Sequence, residues 1–257
     1  MNVLLTGGNG YIAKGLFNAL KDKYKVTPIS RKDFDLTDRE ATNHYFKDKN
    51  FDVVIHCAVT GGSRLKKDDW EVMDKNLSMF NNLVENENCY KKLIHFGSGA
   101  ELFMIDEPYG KSKKIIRNSI LQKDNFFNIR LFGLFDENEM ETRFIKSNIV
   151  RYINKQPIEI LHNKTMDFFY MKDLVSVVNY YILNTELKKE IDCCYDYHLS
   201  LNEIASMINK LGEHVVDVNI HNDDFDKSYF GKYCNLKIEY VGLKNGISEV
   251  YNKLVKN

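Results

Sequence analysis

The sequence predicts an α/β chain: a Rossmann-type doubly wound parallel sheet followed by a smaller C-terminal α/β lobe. Three observations carry this expectation. Short apolar runs alternate with amphipathic stretches through the first half. The first run ends in Thr6-Gly7-Gly8-Asn9-Gly10, with a helical pattern directly behind it. After about Gly133 the alternation loosens. Strands separated by helices of this length form a mostly parallel sheet covered on both faces. Ligands then lie beyond the carboxyl ends of the strands, where strand order reverses.

In chain order, residues 3–5, Lys25–Ile29, 53–56, 93–96 and 128–132 read as strands, bounded by Gly, Ser, Asn or Asp. Between them lie helical patterns at Tyr11–Leu20, Arg39–Phe46, Trp70–Glu85 and 109–121. In the third, Trp70, Met73, Leu77, Phe80 and Val84 recur at three- and four-residue steps, the spacing of one helix face. That stripe is either a packing face within the monomer or a homodimer contact. In the second half, Phe144–Ile153 and residues 172–183 look helical, and 191–195 looks like a strand. Residues 201–211 form a helix capped by Ser200, 215–220 a strand and 247–254 a closing helix. The expected domains are a dinucleotide-binding domain over 1–135 and a substrate-binding lobe over 136–257, with the chain free to cross between them.

Of the 257 residues 44% are apolar, which suffices for a sizeable core. Lys plus Arg and Asp plus Glu both number 36. That balance gives no electrostatic case for nucleic acid or an anionic membrane. No apolar run approaches eighteen residues, so no membrane span is expected. Cys57, Cys89, Cys193, Cys194 and Cys234 are odd in number and lack zinc-ligand spacing. Cys57 and Cys193 sit in apolar runs, as reduced thiols do, which points to the cytoplasm. Asn2 already opens a strand, so no signal peptide is expected. His162, His198, His214 and His221 share no metal-ligand spacing. Asp223, Asp224 and Asp226 lack the glycine and distal glutamate of a calcium loop. No metal is expected.

The glycine loop points to a dinucleotide. Gly7 and Gly10 let the backbone turn sharply and approach a pyrophosphate, with Asn9 between them and Tyr11 and Ile12 opening the helix. The helix start offers N–H groups and a partial positive charge. At this strand–helix junction the pattern has structural context that a bare glycine motif lacks. The second strand runs into Ser30-Arg31-Lys32. An acid there would grip the ribose hydroxyls of NAD. Cations stand there instead, where a 2′-phosphate would sit, so the expected cofactor is NADP(H) in preference to NAD(H). Asp35, followed by Leu36, is placed to meet the adenine amine.

The fourth strand leads to Ser98, and Tyr109-Gly110-Lys111-Ser112-Lys113 opens the next helix. Tyr109 and Lys113 are four apart and share a face. A free phenol, with its pKa near 10, exchanges protons poorly at neutral pH. A neighbouring ammonium stabilises the phenolate and brings the group toward the working range. Ser98 can hydrogen-bond the carbonyl oxygen that Tyr109 protonates.

Together these motifs resemble the extended short-chain dehydrogenase/reductase superfamily, and within it the NAD-dependent epimerase/dehydratase family that acts on nucleotide sugars. The likeness extends to His56-Cys57-Ala58-Val59, which in the family flanks the adenine, and to Asn76 in the long third helix. It includes Arg130-Leu131-Phe132-Gly133, where family backbones meet the nicotinamide amide. Asp167 to Leu174 is similar to the family's aromatic segment before a helix, with Asp167 in an arginine's place. The resemblance implies that Ser98, Tyr109 and Lys113 are catalytic, and that Thr60, Arg143 and Lys146 meet the substrate. For Arg143 and Lys146 a solvated helix face is the other reading. Gly99 and Ala100 stand where 4,6-dehydratases carry an Asp-Glu pair, so dehydration is not expected. The look is that of the GDP-fucose synthase subgroup, but Ala100 and Arg143 replace its epimerising cysteine and histidine. The expected activity is NADPH-dependent reduction of a keto group on a nucleotide-linked sugar of the 4-keto-6-deoxy type. A nucleotide-sugar 4-epimerase and a non-catalytic NADP-binding regulator are the alternatives.

Overall fold

A computed structural model describes residues 1–63, 66–224 and 227–256. The first half is built from β1 (Asn2–Thr6), α1 (Tyr11–Leu20), β2 (Lys25–Ile29), α2 (Arg39–Phe46), β3 (Phe51–His56) and α3 (Trp70–Glu85). It continues through β4 (Tyr90–Ser98), α4 (Ala100–Phe103), α5 (Pro108–Ile120) and β5 (Phe126–Leu131). The second half comprises β6 (Leu134–Phe135), α6 (Phe144–Ile153), β7 (Ile158–Ile160), β8 (Phe169–Tyr170), α7 (Met171–Leu183), β9 (Glu190–Cys193), α8 (Leu201–Ile208), β10 (Val218–Ile220) and α9 (Leu243–Val255).

Six strands pair in the order β2-β1-β3-β4-β5-β9. The pairings of β1 with β2 and β3, and of β3 with β4, are parallel. Strand order reverses between β1 and β3, the point at which such sheets bind ligands. β5 is buried along its whole length, as a strand covered on both faces must be. Leu4, Val54, Phe80, Leu83, Leu93, Ile116 and Phe126 form one continuous core against it.

The chain divides into two compact units, Met1–Arg130 with Val178–Ile191, and Leu131–Val177 with Asp192–Asn257. It therefore passes between units three times, at 130/131, 177/178 and 191/192. The cause is β9, which joins the sheet of the first unit as its last strand although it follows residues of the second. In the second unit two short sheets, β10-β7 and β6-β8, accompany α6, α8 and α9. Its buried residues include Ile145, Ile149, Tyr152, Ile160, Ile204, Ile208 and Ile247.

The helices α1, α2, α3 and α6 begin and end where the sequence places them. Elsewhere local chemistry moved the ends. Pro108 occupies the first turn of α5, where its missing N–H is harmless, so that helix starts one residue early. Ser200 caps α8 in a full capping box with Glu203, but the helix stops at Ile208. α9 starts at Leu243 rather than 247, behind Gly242, whose φ of 83° suits a residue without Cβ.

Candidate active site

Thr6 ends β1 in register with Ile29 of β2 and His56 of β3. Its Oγ1 lies 2.9 Å from His56 Nδ1 and accepts the Ala58 N–H at 3.1 Å. This stitches the ends of β1 and β3 side by side. Gly7 follows with φ 68°. A Cβ there would stand 2.8 Å from the Ala58 Cα and N, so only glycine lets the two loops come this close. Gly10 then caps α1 without a side chain.

A cleft of about 370 Å³ opens at these strand ends. Gly7, Asn9 and Gly10 line it from the first loop, Ser30, Arg31, Asp35 and Leu36 from behind β2, and Cys57, Ala58 and Val59 from behind β3. Thr6, Ile29, Phe34 and Met79 complete the wall; the sequence reading did not assign them. Phe34, an aromatic set between Arg31 and Asp35, was the available signal for an apolar face beside the cations. Asp35 Oδ1 accepts from the Thr37 N–H at 2.9 Å and from its hydroxyl at 2.8 Å. Those bonds, with Arg31 nearby, hold its carboxyl below the usual range. Tyr11 and Ile12 supply the amino end of α1 and do not line the cleft. Neither does Asn76, which is buried. Its carboxamide accepts from the Thr60 N–H at 2.9 Å and donates to the Thr60 carbonyl at 3.0 Å and to Ser112 Oγ at 3.2 Å. It thereby fixes the backbone of Thr60.

The cleft combines close-approaching glycine backbone, a helix amino end, an apolar wall and a cation at its rim, features that fit the adenosine half of a dinucleotide. Of the residues predicted to hold the cofactor, Gly7, Asn9, Gly10, Ser30, Arg31, Asp35, Leu36, Cys57, Ala58 and Val59 line it; Tyr11, Ile12, Asn76, Tyr109 and Lys113 do not.

α5 presents Tyr109 and Lys113 on one face, with the Lys113 ammonium 5.8 Å from the centre of the Tyr109 ring. Lys113 is buried. Its Nζ donates to the Phe96 carbonyl at 2.6 Å and lies 3.4 Å from His95 Nε2. Burial brings this ammonium down to about 8, against the upward pull of Glu101 and Cys57. Ser112 Oγ donates to the Tyr109 carbonyl at 2.7 Å, so Asn76, Ser112 and Tyr109 form one chain of contacts. Ser98 ends β4, the strand that holds Lys113, and its Oγ accepts the Ala100 N–H at 3.2 Å. That bond organises the short helix α4, which the sequence reading passed over.

Two further residues belong to this site. Gly62 has φ 73°, and a Cβ on it would stand 2.8 Å from Tyr109 Cζ. The phenol therefore rests on a glycine backbone, and the Gly61-Gly62 pair was its sequence signal. Glu101 is buried and bonded to Arg130 Nε at 2.5 Å and to Asn128 Nδ2 at 2.9 Å. Burial pushes its carboxyl up, while Arg130 and Lys113 pull it down.

In the second unit, Arg143 is exposed at the amino cap of α6. Lys146 is turned to its own neighbourhood: its N–H donates to Glu139 Oε1 at 2.9 Å and its Nζ to the Glu139 carbonyl at 3.1 Å. Burial pushes the Glu139 carboxyl up to about 8. Asp167 is buried, with Oδ1 2.8 Å from His198 Nδ1 and Oδ2 accepting the Gly231 N–H at 2.8 Å. It fastens three segments of this unit together. Among the described residues no group of His, Cys, Asp and Glu is placed to hold a metal, and no helix is long and apolar enough to cross a membrane; Asp226 lies outside the described residues.

No curated protein matches the chain in sequence. Among solved structures, it is similar to MlghC, a GDP-mannoheptose C4 reductase from Campylobacter jejuni with NADP bound. The TM-score is 0.82 at 16% identity, over 99% of this chain and 98% of that one. It is also similar to a UDP-glucose 4-epimerase from Thermotoga maritima with UDP-glucose, at TM-score 0.79 and 15% identity over 100% and 99%. A GDP-L-fucose synthetase from Naegleria fowleri bound to NADP aligns at TM-score 0.74 and 17% identity over 100% and 93%. At these identities the likeness establishes the extended Rossmann-type fold. The model of the NAD dependent epimerase/dehydratase family matches residues 3–193, and the chain belongs to that family.

Proposed function

We propose that the protein is a cytoplasmic, NADPH-dependent reductase of a keto group on a nucleotide-linked sugar. The observation that carries this reading is the buried Lys113 ammonium beside the Tyr109 ring, on the helix that follows Ser98. When bound, the nicotinamide cofactor supplies the hydride. Tyr109 donates the proton to the carbonyl oxygen. Lys113 stabilises the phenolate left behind and holds the cofactor ribose. Ser98 directs its hydroxyl to the same oxygen. Gly7, Asn9 and Gly10 seat the pyrophosphate against α1, and Arg31 with Ser30 takes the 2′-phosphate. Substrate binding is assigned to Thr60, whose backbone Asn76 fixes.

The relatives named above include a GDP-mannoheptose C4 reductase with NADP bound, which supports reduction; the cation in place of an acid after β2 supports NADPH. The test is a panel of nucleotide-linked 4-keto-6-deoxy sugars with stoichiometric NADPH and, separately, NADH. Net NADPH oxidation matched by a reduced sugar is expected. Sugar interconversion without net oxidation would assign a 4-epimerase. Cofactor binding without turnover on any keto-sugar would assign a regulator.

A further inference from the structure

His95 occupies the middle of β4, where an aliphatic side chain would satisfy the core. It is 1% exposed. Its ring is packed between His56, with centroids 5.3 Å apart, and Phe80 at 6.0 Å. Burial holds it neutral. Its Nε2 lies 3.4 Å from Lys113 Nζ. An ammonium has only N–H groups to give, so Nε2 must be the accepting nitrogen and the ring proton must sit on Nδ1. Among the described residues that Nδ1 has no hydrogen-bond partner. A buried donor left unpaired is normally eliminated. It persists here on the one tautomer that keeps an acceptor turned toward Lys113.

We propose that His95 is a positioning residue for Lys113, taking one ammonium N–H at Nε2 while the Phe96 carbonyl takes a second, so that the third is reserved for the Tyr109 side of the site. An ammonium on a four-carbon stem rotates freely unless its donors are claimed. Two fixed acceptors on one strand remove that freedom. This deepens the reading above, since it rests on Lys113 serving Tyr109.

The other charged or titratable groups facing Lys113 are Glu101 from α4, with Arg130 behind it, Cys57 and His56 from the end of β3, and Tyr109 from its own helix. Glu101 and Cys57 favour the ammonium, whereas a protonated His56 or His95 would oppose it. His95 is within hydrogen-bond reach of Lys113 by side chain.

The test uses the full chain. In histidine-labelled protein the ¹⁵N shifts of His95, assigned by their loss in His95→Gln, must report the Nδ1–H tautomer. An Nε2–H tautomer overturns the proposal without any functional variant. Next, the ¹³Cε resonance of Lys113, identified by its loss in Lys113→Arg, is followed through a pH titration. The midpoint should fall by about half to one pH unit in His95→Phe, the net size of one ordinary hydrogen bond. His95→Gln, whose amide oxygen can reach the position of Nε2, should restore it. An unchanged midpoint in His95→Phe overturns the proposal. In turnover, the alkaline limb of kcat should move down by the same amount in His95→Phe, a loss of about twofold to fivefold at pH 8 and little at pH 6.5. Retained turnover in Tyr109→Phe would sink the reductase reading instead, and the two resonance measurements would still decide the role of His95.

Discussion

Ser30, Arg31 and Asp35 stand in exposed or half-exposed turns and answer to neighbours a few residues away. Ser30 binds Asp33, and Asp35 binds Thr37. His56, His95, Glu101, Lys113 and Arg130, on β3, β4, α4, α5 and β5, are all buried. There Glu101 joins α4 to β5 through Arg130, and Lys113 joins α5 to β4. The contrast separates two kinds of control. The cofactor-selecting loop can change its charge without disturbing the core. The proton-transfer end is part of the core, so changes there alter stability and chemistry together.

Four substitutions probe that division, the largest effect first. Tyr109→Phe should lower kcat by about 10³-fold while NADPH still binds; single-turnover kinetics and cofactor titration separate the two. Glu101→Ala leaves the buried Arg130 guanidinium with Glu190 as its remaining carboxylate partner and should destabilise the chain by about 1–3 kcal/mol in urea unfolding. A small loss would mean that Glu101 is dispensable to the core. Gly62→Ala should lower kcat by about tenfold to a hundredfold through displacement of the phenol, with the NADPH dissociation constant nearly unchanged. Arg31→Ala should raise the KM for NADPH about tenfold, leave that for NADH alone and shift stability by less than about 0.5 kcal/mol. A large stability loss at Arg31 would break the comparison.

Much of the first unit was legible from sequence. α3 stands at its predicted ends because its apolar spacing is uninterrupted and Asp69 caps it. The cleft loops were legible because a glycine with positive φ and a strand-end cation have few other uses. β6 and β8 are two residues each and β7 is three, too short for any alternation to register. Residues 93–96 were read as a strand that runs from Tyr90, because two lysines mask its start. Lys92 sends its ammonium to the carbonyls of Tyr181 and Asn184, a contact that spacing along β4 cannot announce. Gly62 and Glu101 escaped for the same reason. Their partners, Tyr109 and Arg130, are set by chain crossings rather than by neighbours in sequence.

The tilted imidazole pair of β3 and β4 carries a consequence for where the protein can survive. Burial holds His56 down to about 3 and His95 well below its ordinary value, whereas both take up protons near pH 6.5 in the unfolded chain. Below that pH the unfolded state binds more protons than the folded one, so acid favours unfolding. Two such groups remove about 2–3 kcal/mol per pH unit from roughly pH 6 downward, before ordinary carboxylates begin to titrate. Glu139, pushed up to about 8, holds its proton in the folded chain over the same range and offsets about half of that slope, so denaturant midpoints measured from pH 7 to 5 should fall along the remaining half. A chain carried into a mildly acidic vesicle would then lose part of its margin of stability there, although its surface charges had scarcely changed.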